Sequence, residues 1–169
     1  EYYAAEAERL DRGDSFHVPG ELNDYHYQPR GVGVIIPPWN FPLAILTGML
    51  SAAIVTGNTT VLKPASPTPI IGAKLMELFK EVGLPPGIVN FLPGPGRTVG
   101  DYLVHHPQVH FITFTGSREI GCRINRLGAE VAEGQLHLKR VIAEMGGKNA
   151  AIIDSDADVD DAVLAMVSS

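Results

Sequence analysis

The hydrophobic pattern changes period repeatedly along the chain, and each change marks an element. Residues 1–10 predict a helix, and an extended run within 24–36 ends in the apolar "GVGVII". The stretch Leu43 to Val55 is apolar on every side and predicts a buried helix. "TTVLKP" predicts a short buried strand, cut off by Pro64. In "PTPIIGAKLMELFKEVG", Ile71, Leu75, Leu78, Phe79 and Val82 recur at helical spacing on one face, with Gly83 as the stop. The alternation then continues. "GIVNF" precedes a helix near 97–106, and "VHFITF" precedes a helix bearing Ile120, Ile124, Leu127 and Val131. "LKRVIAE" and "NAAIID" predict further strands, and a last helix opens near Asp158.

Apolar strands separated by helices predict an α/β fold, a Rossmann-like open parallel sheet with helices on both faces. Ligands of such sheets bind at the carboxyl ends of the strands, so the residues that end strands are the ones to weigh. No repeat, low-complexity tract or flexible linker interrupts the pattern. Residues 1–24 predict an N-terminal helix and arm, and residues 25–169 the domain proper. With no initiator methionine and no charged-then-apolar leader, the segment is expected to be internal to a longer chain and to carry no targeting signal.

Charge and composition narrow the partners. Thirteen basic residues stand against nineteen acidic ones, for a net charge of −6, which is not the electrostatic footprint of a nucleic-acid binder. A single cysteine, Cys122, excludes an internal disulfide framework or a multi-cysteine zinc site and suits a reducing compartment. The uncharged stretch from Gly31 to Leu62 raises the question of a membrane span. Its ends are broken by Pro37, Pro38, Asn40 and Pro42 and by Gly57 to Thr60, and Leu43 to Val55 falls short of the roughly 20 residues a bilayer needs. Small soluble ligands are the expected partners, with no nucleic acid and no membrane. No metal is expected either. His105-His106 lacks companion ligands, and "DSDADVDDA" departs from a calcium loop at Val159 and Ala165. Aspartates at a helix N-terminus account for that run.

Four segments sit at predicted strand ends: "PPWNFP" (37–42), "KPAS" (63–66), "FTGS" (114–117) and "EMGGKNA" (144–150). Singly, each has a plain structural reading. Asn40 suits a turn, Lys63 a solvated strand end and Ser117 a helix N-cap, and Glu144 before Gly146-Gly147 suits a strand end followed by a turn. "GPGRTVG" (94–100) also follows a strand, but its G-x-G-x-x-x-G spacing is one residue too long for the dinucleotide fingerprint.

In this order and spacing the four segments resemble the aldehyde dehydrogenase superfamily, from about Tyr25 to Ser169. "PRGVGVIIPPWNFPLAILTG" and "LKRVIAEMGGK" are most similar to its 1-pyrroline-5-carboxylate (glutamate γ-semialdehyde) dehydrogenase branch. The resemblance implies that residues 25–169 form an incomplete NAD(P)-binding domain. It implies a parent that oxidises an aldehyde to a carboxylate through a thioester, glutamate γ-semialdehyde to glutamate in proline catabolism, with NAD as cofactor and NADP also admissible. Glu144 would be the general base for hydrolysis. A carboxylate at the edge of an apolar strand is expected to be partly withdrawn from water, which suits a base working near neutral pH. Asn40 would donate its side-chain NH2 to the developing oxyanion, stiffened by three prolines and two aromatics.

For the cofactor, Lys63 would reach the adenosine ribose, and Gly116 and Ser117 the phosphates at a helix N-terminus. Ile36, Pro38, Trp39 and Phe114 would line the same site, and Gly96 and Gly100 would lie near the adenine. Ser66 stands where many NAD-preferring relatives carry a glutamate, so the repulsion of a 2′-phosphate is missing and both cofactors are admitted. Cys122 does not match the family's nucleophile, which is expected beyond Ser169 with the catalytic domain. The isolated segment is therefore expected to be inactive. Its parent is expected to be a cytoplasmic homo-oligomer, or a mitochondrial matrix protein in a eukaryote. The alternatives are a non-catalytic nucleotide-binding module, an aldehyde dehydrogenase of other specificity, or a scaffold domain.

Overall fold

The computed structural model describes residues 1–168, with side chains through Val167. It opens with helix α1 (Tyr2–Asp11), which packs against a helix further along, and with an antiparallel hairpin of β1 (Asp14–Val18) and β2 (Glu21–Tyr25). Gly20 closes the hairpin at φ +87°, a turn conformation that glycine takes without strain. Every hairpin side chain is exposed, and the two strands form a sheet of their own. The extended run expected within 24–36 is thus two strands belonging to different sheets.

The main sheet holds five parallel strands: β3 (Val32–Ile36), β4 (Thr59–Leu62), β5 (Val89–Phe91), β6 (Phe111–Gly116) and β7 (Arg140–Met145). Their spatial order is β5-β4-β3-β6-β7. Helix α2 (Ala44–Val55) turns Leu46, Leu50 and Ala53 onto one face, and α3 (Pro69–Glu81) adds Leu75 beside them. On the other face, α4 (Asp101–His105) and α5 (Arg118–Gly128) bury Leu103, Val104 and Ile124 against Val34, Ile112 and Phe114. The predicted open sheet with helices on both faces is therefore present. Gly33 is required where it stands, because a Cβ there would run into the buried ring of Phe111 on the next strand.

Several expected elements differ. "NAAIID" forms no strand: Ile152 is 96% exposed, and among the described residues no strand lies beside it to complete a ladder. The helix expected near 97–106 is a wide π-type turn over Gly96–Gly100 followed by the five residues of α4. Val131 falls beyond the end of α5. On α3 the buried seam centres on Gly72 and Leu75, with Met76 and Phe79 packed beside them. That centre rotates Leu78 and Val82 into solvent. Helix α6 (Val159–Ser168) is capped by Asp158, whose Oδ1 accepts from the Asp160 and Asp161 amides at 2.9 and 3.1 Å. This is the helix-start role expected of the acidic run.

At the amino ends of the strands, the Val32 amide donates to His110 Nδ1 at 3.3 Å, so that nitrogen must be unprotonated. The His137 ring stacks on His110 with centroids 4.0 Å apart. Burial, then the charges of His137 and Arg30, hold the His110 pKa below its ordinary value. A base depressed in this way favours the folded state above its unfolded pKa of about 6.5, and that contribution is lost as pH falls through the lower folded value. Thermal denaturation between pH 8 and 5 is expected to show Tm declining below about 6.5, with a shallower acid branch in His110→Phe. Parallel profiles for the two proteins would refute the assignment.

Candidate functional site

The strand order reverses between β3 and β6, since β4 and β5 extend the sheet one way from β3 while β6 and β7 extend it the other. A reversal of this kind leaves a crevice at the carboxyl ends, because the flanking connections diverge to opposite faces. A cavity of about 830 Å³ opens there, near the top of the roughly 300–1,000 Å³ span of small-molecule sites. Strand register decides what reaches it. Ile36 pairs with Phe114, which sets the "PPWNFP" loop beside the end of β6. Thr115 pairs with Glu144 and Gly116 with Met145, which sets the carboxylate beside "TGS".

Asn40 and Glu144 accordingly line one cavity, although 104 positions separate them in the chain. Ile36, Pro38, Trp39, Lys63, Gly96, Gly100, Phe114, Gly116 and Ser117 line it too. Ser66 does not. It faces a smaller adjoining depression with Pro64, Pro69 and Pro93, which shares Ala65 with the main crevice. Across the Pro64 bend, Lys63 stays on the main crevice while Ser66 lies on the smaller depression. Gly146 is on the rim with open space where a Cβ would point, so nothing in the chain itself obstructs that approach.

Two expectations about surroundings need correction. The aromatics beside Asn40 do not brace it: Trp39 is 66% exposed and Phe41 70%. Pro37 and Pro38 are buried and anchor the loop instead. Phe41 has φ +48°, a left-handed backbone that a non-glycine residue adopts only under constraint. The second correction concerns Glu144, which is exposed. Alternation along β7 turns Val141, Ala143 and Met145 towards α5 and leaves Arg140, Ile142 and Glu144 on an open face. Apolar neighbours in sequence do not cover a side chain that points the other way.

Lys63 carries the clearest signature of a ligand site. It is 4% exposed, and its Nζ donates to the Pro64 carbonyl at 2.8 Å. No carboxylate among the described residues pairs with it. Burial lowers its pKa below the ordinary lysine value. A desolvated ammonium with one of three donors used is costly unless something else accepts from it.

Ser117 caps α5, accepting from the Ile120 amide at 3.4 Å. The plain reading of this serine and the ligand reading are thus both compatible with its position, since the capped helix start opens on the crevice. Formal charges along the lining cancel, with Lys63, Arg97 and Arg123 against Asp101, Glu119 and Glu144. Attraction for an anion must therefore be local, at the start of α5. The sequence reading missed Arg97, Asp101 and Arg123. No short-range pattern links Asp101 to Arg123, which lie 22 residues apart.

Fold and crevice together define a doubly wound α/β domain of the dinucleotide-binding architecture. The chain belongs to the aldehyde dehydrogenase family, which matches residues 1–169. It is 56% identical, over its whole length, to 1-pyrroline-5-carboxylate dehydrogenase 2 of Bacillus subtilis (strain 168). It spans 33% of that protein, about a third of the length. Among solved structures, 1-pyrroline-5-carboxylate dehydrogenase from Thermus with bound NAD superposes at TM-score 0.84 and 49% identity, covering 88% of this chain and 29% of that one. Proline utilization A from Bdellovibrio bacteriovorus superposes at TM-score 0.88 and 48% identity, covering 98% of this chain and 17% of that one. Among the described residues no helix is long and apolar enough to cross a membrane.

Proposed function

We propose that residues 25–169 are the larger part of the cofactor-binding domain of an NAD-dependent aldehyde dehydrogenase, with residues 1–24 as an arm, and that its substrate is glutamate γ-semialdehyde. The observation that carries the reading is the convergence of Asn40, Glu144 and the unpaired Lys63 on one crevice at the sheet's reversal point. The names of the relatives support the substrate, and the NAD in the Thermus structure supports the cofactor. The residues present suit a dinucleotide: a buried cation with free donors for ribose hydroxyls, a helix start for phosphate, and glycines along the wall. When bound, the nicotinamide supplies the hydride acceptor. This chain's residues would orient the ligand, donate to the aldehyde oxygen through the Asn40 amide and take a proton from water at the Glu144 carboxylate. The cysteine that attacks the aldehyde belongs to the parent outside this segment, as does the remainder of a homo-oligomeric assembly. NADP use is proposed alongside NAD, with Ser66 at its adjoining depression.

Lys63→Met tests this in the full-length protein. Loss of hydrogen bonds from a charged donor is expected to weaken NAD+ binding by about 10- to 100-fold. Tm is expected to hold or rise, because an apolar side chain replaces a buried, unpaired cation. Calorimetry with NAD+ and a thermal melt read both. A fall in Tm with unchanged NAD+ affinity would make Lys63 a structural residue and remove it from the site.

A further inference from the structure

We infer that the ion pair of Asp101 and Arg123 is the positioning element of the crevice's adenine end; this rests on the dinucleotide reading above. Arg123 grips Asp101 with two parallel bonds, Nε to Oδ1 at 3.2 Å and Nη2 to Oδ2 at 2.5 Å. The hydrogen bond from Arg123 holds the Asp101 carboxyl below the usual carboxylate range. Both residues line the crevice, Asp101 from the first turn of α4 and Arg123 from the middle of α5. The pair therefore ties together the two helices that wall one end of the cavity.

Between those helices the lining is apolar, with Val104, Ile120 and Ile124. Gly100 adds a bare backbone there, and a Cβ on it would meet only Lys63 side-chain carbons, at 3.8 Å. A slot with two apolar walls, its Asp101 and Arg123 charges engaged with each other, suits the faces of a flat heterocycle rather than a sugar or a phosphate. Pairing offsets the Asp101 and Arg123 charges against each other at the edge of the slot. The pair also limits how far the wide turn before α4 can swing from α5, because a two-point fork fixes angle as well as distance.

The test uses the full-length protein and two half-ligands, adenosine 5′-monophosphate for the adenine end and nicotinamide mononucleotide for the other. Calorimetry is run on wild type, Arg123→Met, Asp101→Asn, Arg123→Lys and the exchanged double variant Asp101→Arg with Arg123→Asp. Loss of the half-exposed pair is expected to weaken adenosine monophosphate about fivefold while leaving nicotinamide mononucleotide within about twofold. Arg123→Lys keeps the charge without the fork and should fall between, and the exchanged pair should recover most of the loss. Unchanged adenosine monophosphate affinity in the single variants overturns the inference. Equal weakening of both half-ligands with a lowered Tm also overturns it, by reducing the pair to a staple of the fold. A wild type that binds neither half-ligand overturns the dinucleotide reading itself, and this inference with it.

Discussion

Asn40→Ala in the full-length protein is expected to lower kcat about 10²–10³-fold, the usual consequence of removing one oxyanion donor. The magnitude follows from timing: a donor aimed at charge that develops only in the transition state contributes to rate and little to ground-state binding. The structure makes Asn40 a clean site for this experiment. Its side chain is exposed and accepts or donates no hydrogen bond within the chain among the described residues, so truncation should move stability by no more than about 0.5 kcal/mol. Cofactor affinity should also hold, because Lys63 and Ser117 are untouched. The left-handed Phe41 and the buried Pro37-Pro38 fix the backbone on either side of the amide, and such backbone strain is commonly kept where a side chain must point one way. Steady-state kinetics and NAD+ calorimetry on the same preparation separate the effects. A kcat within about threefold of wild type, far from the loss an oxyanion donor brings, would remove Asn40 from the chemistry.

Glu144→Gln should separate the two halves of the reaction. The amide keeps the size of the carboxylate but cannot take a proton, so the step that activates water is lost while aldehyde oxidation continues. Rapid mixing with saturating aldehyde and NAD+ should show a first-turnover rise in NADH close to one per active site. Steady-state turnover after it should be slower by about 10²–10⁴-fold, the span typical of a general base. The exposure of Glu144 in this chain makes a large stability change unexpected. Ordinary steady-state turnover would exclude the base role, and a missing first turnover would place Glu144 in aldehyde oxidation instead.

The strand ends were legible in the sequence because short apolar runs stop at prolines and glycines. Those stops set Asn40, Lys63, Ser117 and Glu144 at one end of the sheet. What converges was legible only through the resemblance to a family. No local pattern says that Thr115 pairs with Glu144, a register fixed by packing of β6 and β7 against α5. For the same reason the Asp101–Arg123 pair left no trace in the sequence. "NAAIID" has the composition of a strand, but strand formation also needs a partner strand alongside, which composition does not encode. Glu144 shows the same limit at one residue. Its apolar neighbours Ala143 and Met145 face α5, whereas its own face is shared with Ile142, which is 54% exposed. Ser66 shows it across a bend, three positions from Lys63 yet in another depression.

Trp39 is the only tryptophan of the chain and stands on the crevice lining, which makes it an internal reporter. The most direct measurement is therefore a titration of the 169-residue chain with NADH, exciting Trp39 and following its emission and energy transfer to the nicotinamide. The expected result is saturable quenching with sensitised NADH emission, both reversed by excess adenosine monophosphate. NADH that calorimetry shows to be bound while Trp39 emission stays unchanged would put the cofactor elsewhere on the molecule and contradict the assignment of this crevice.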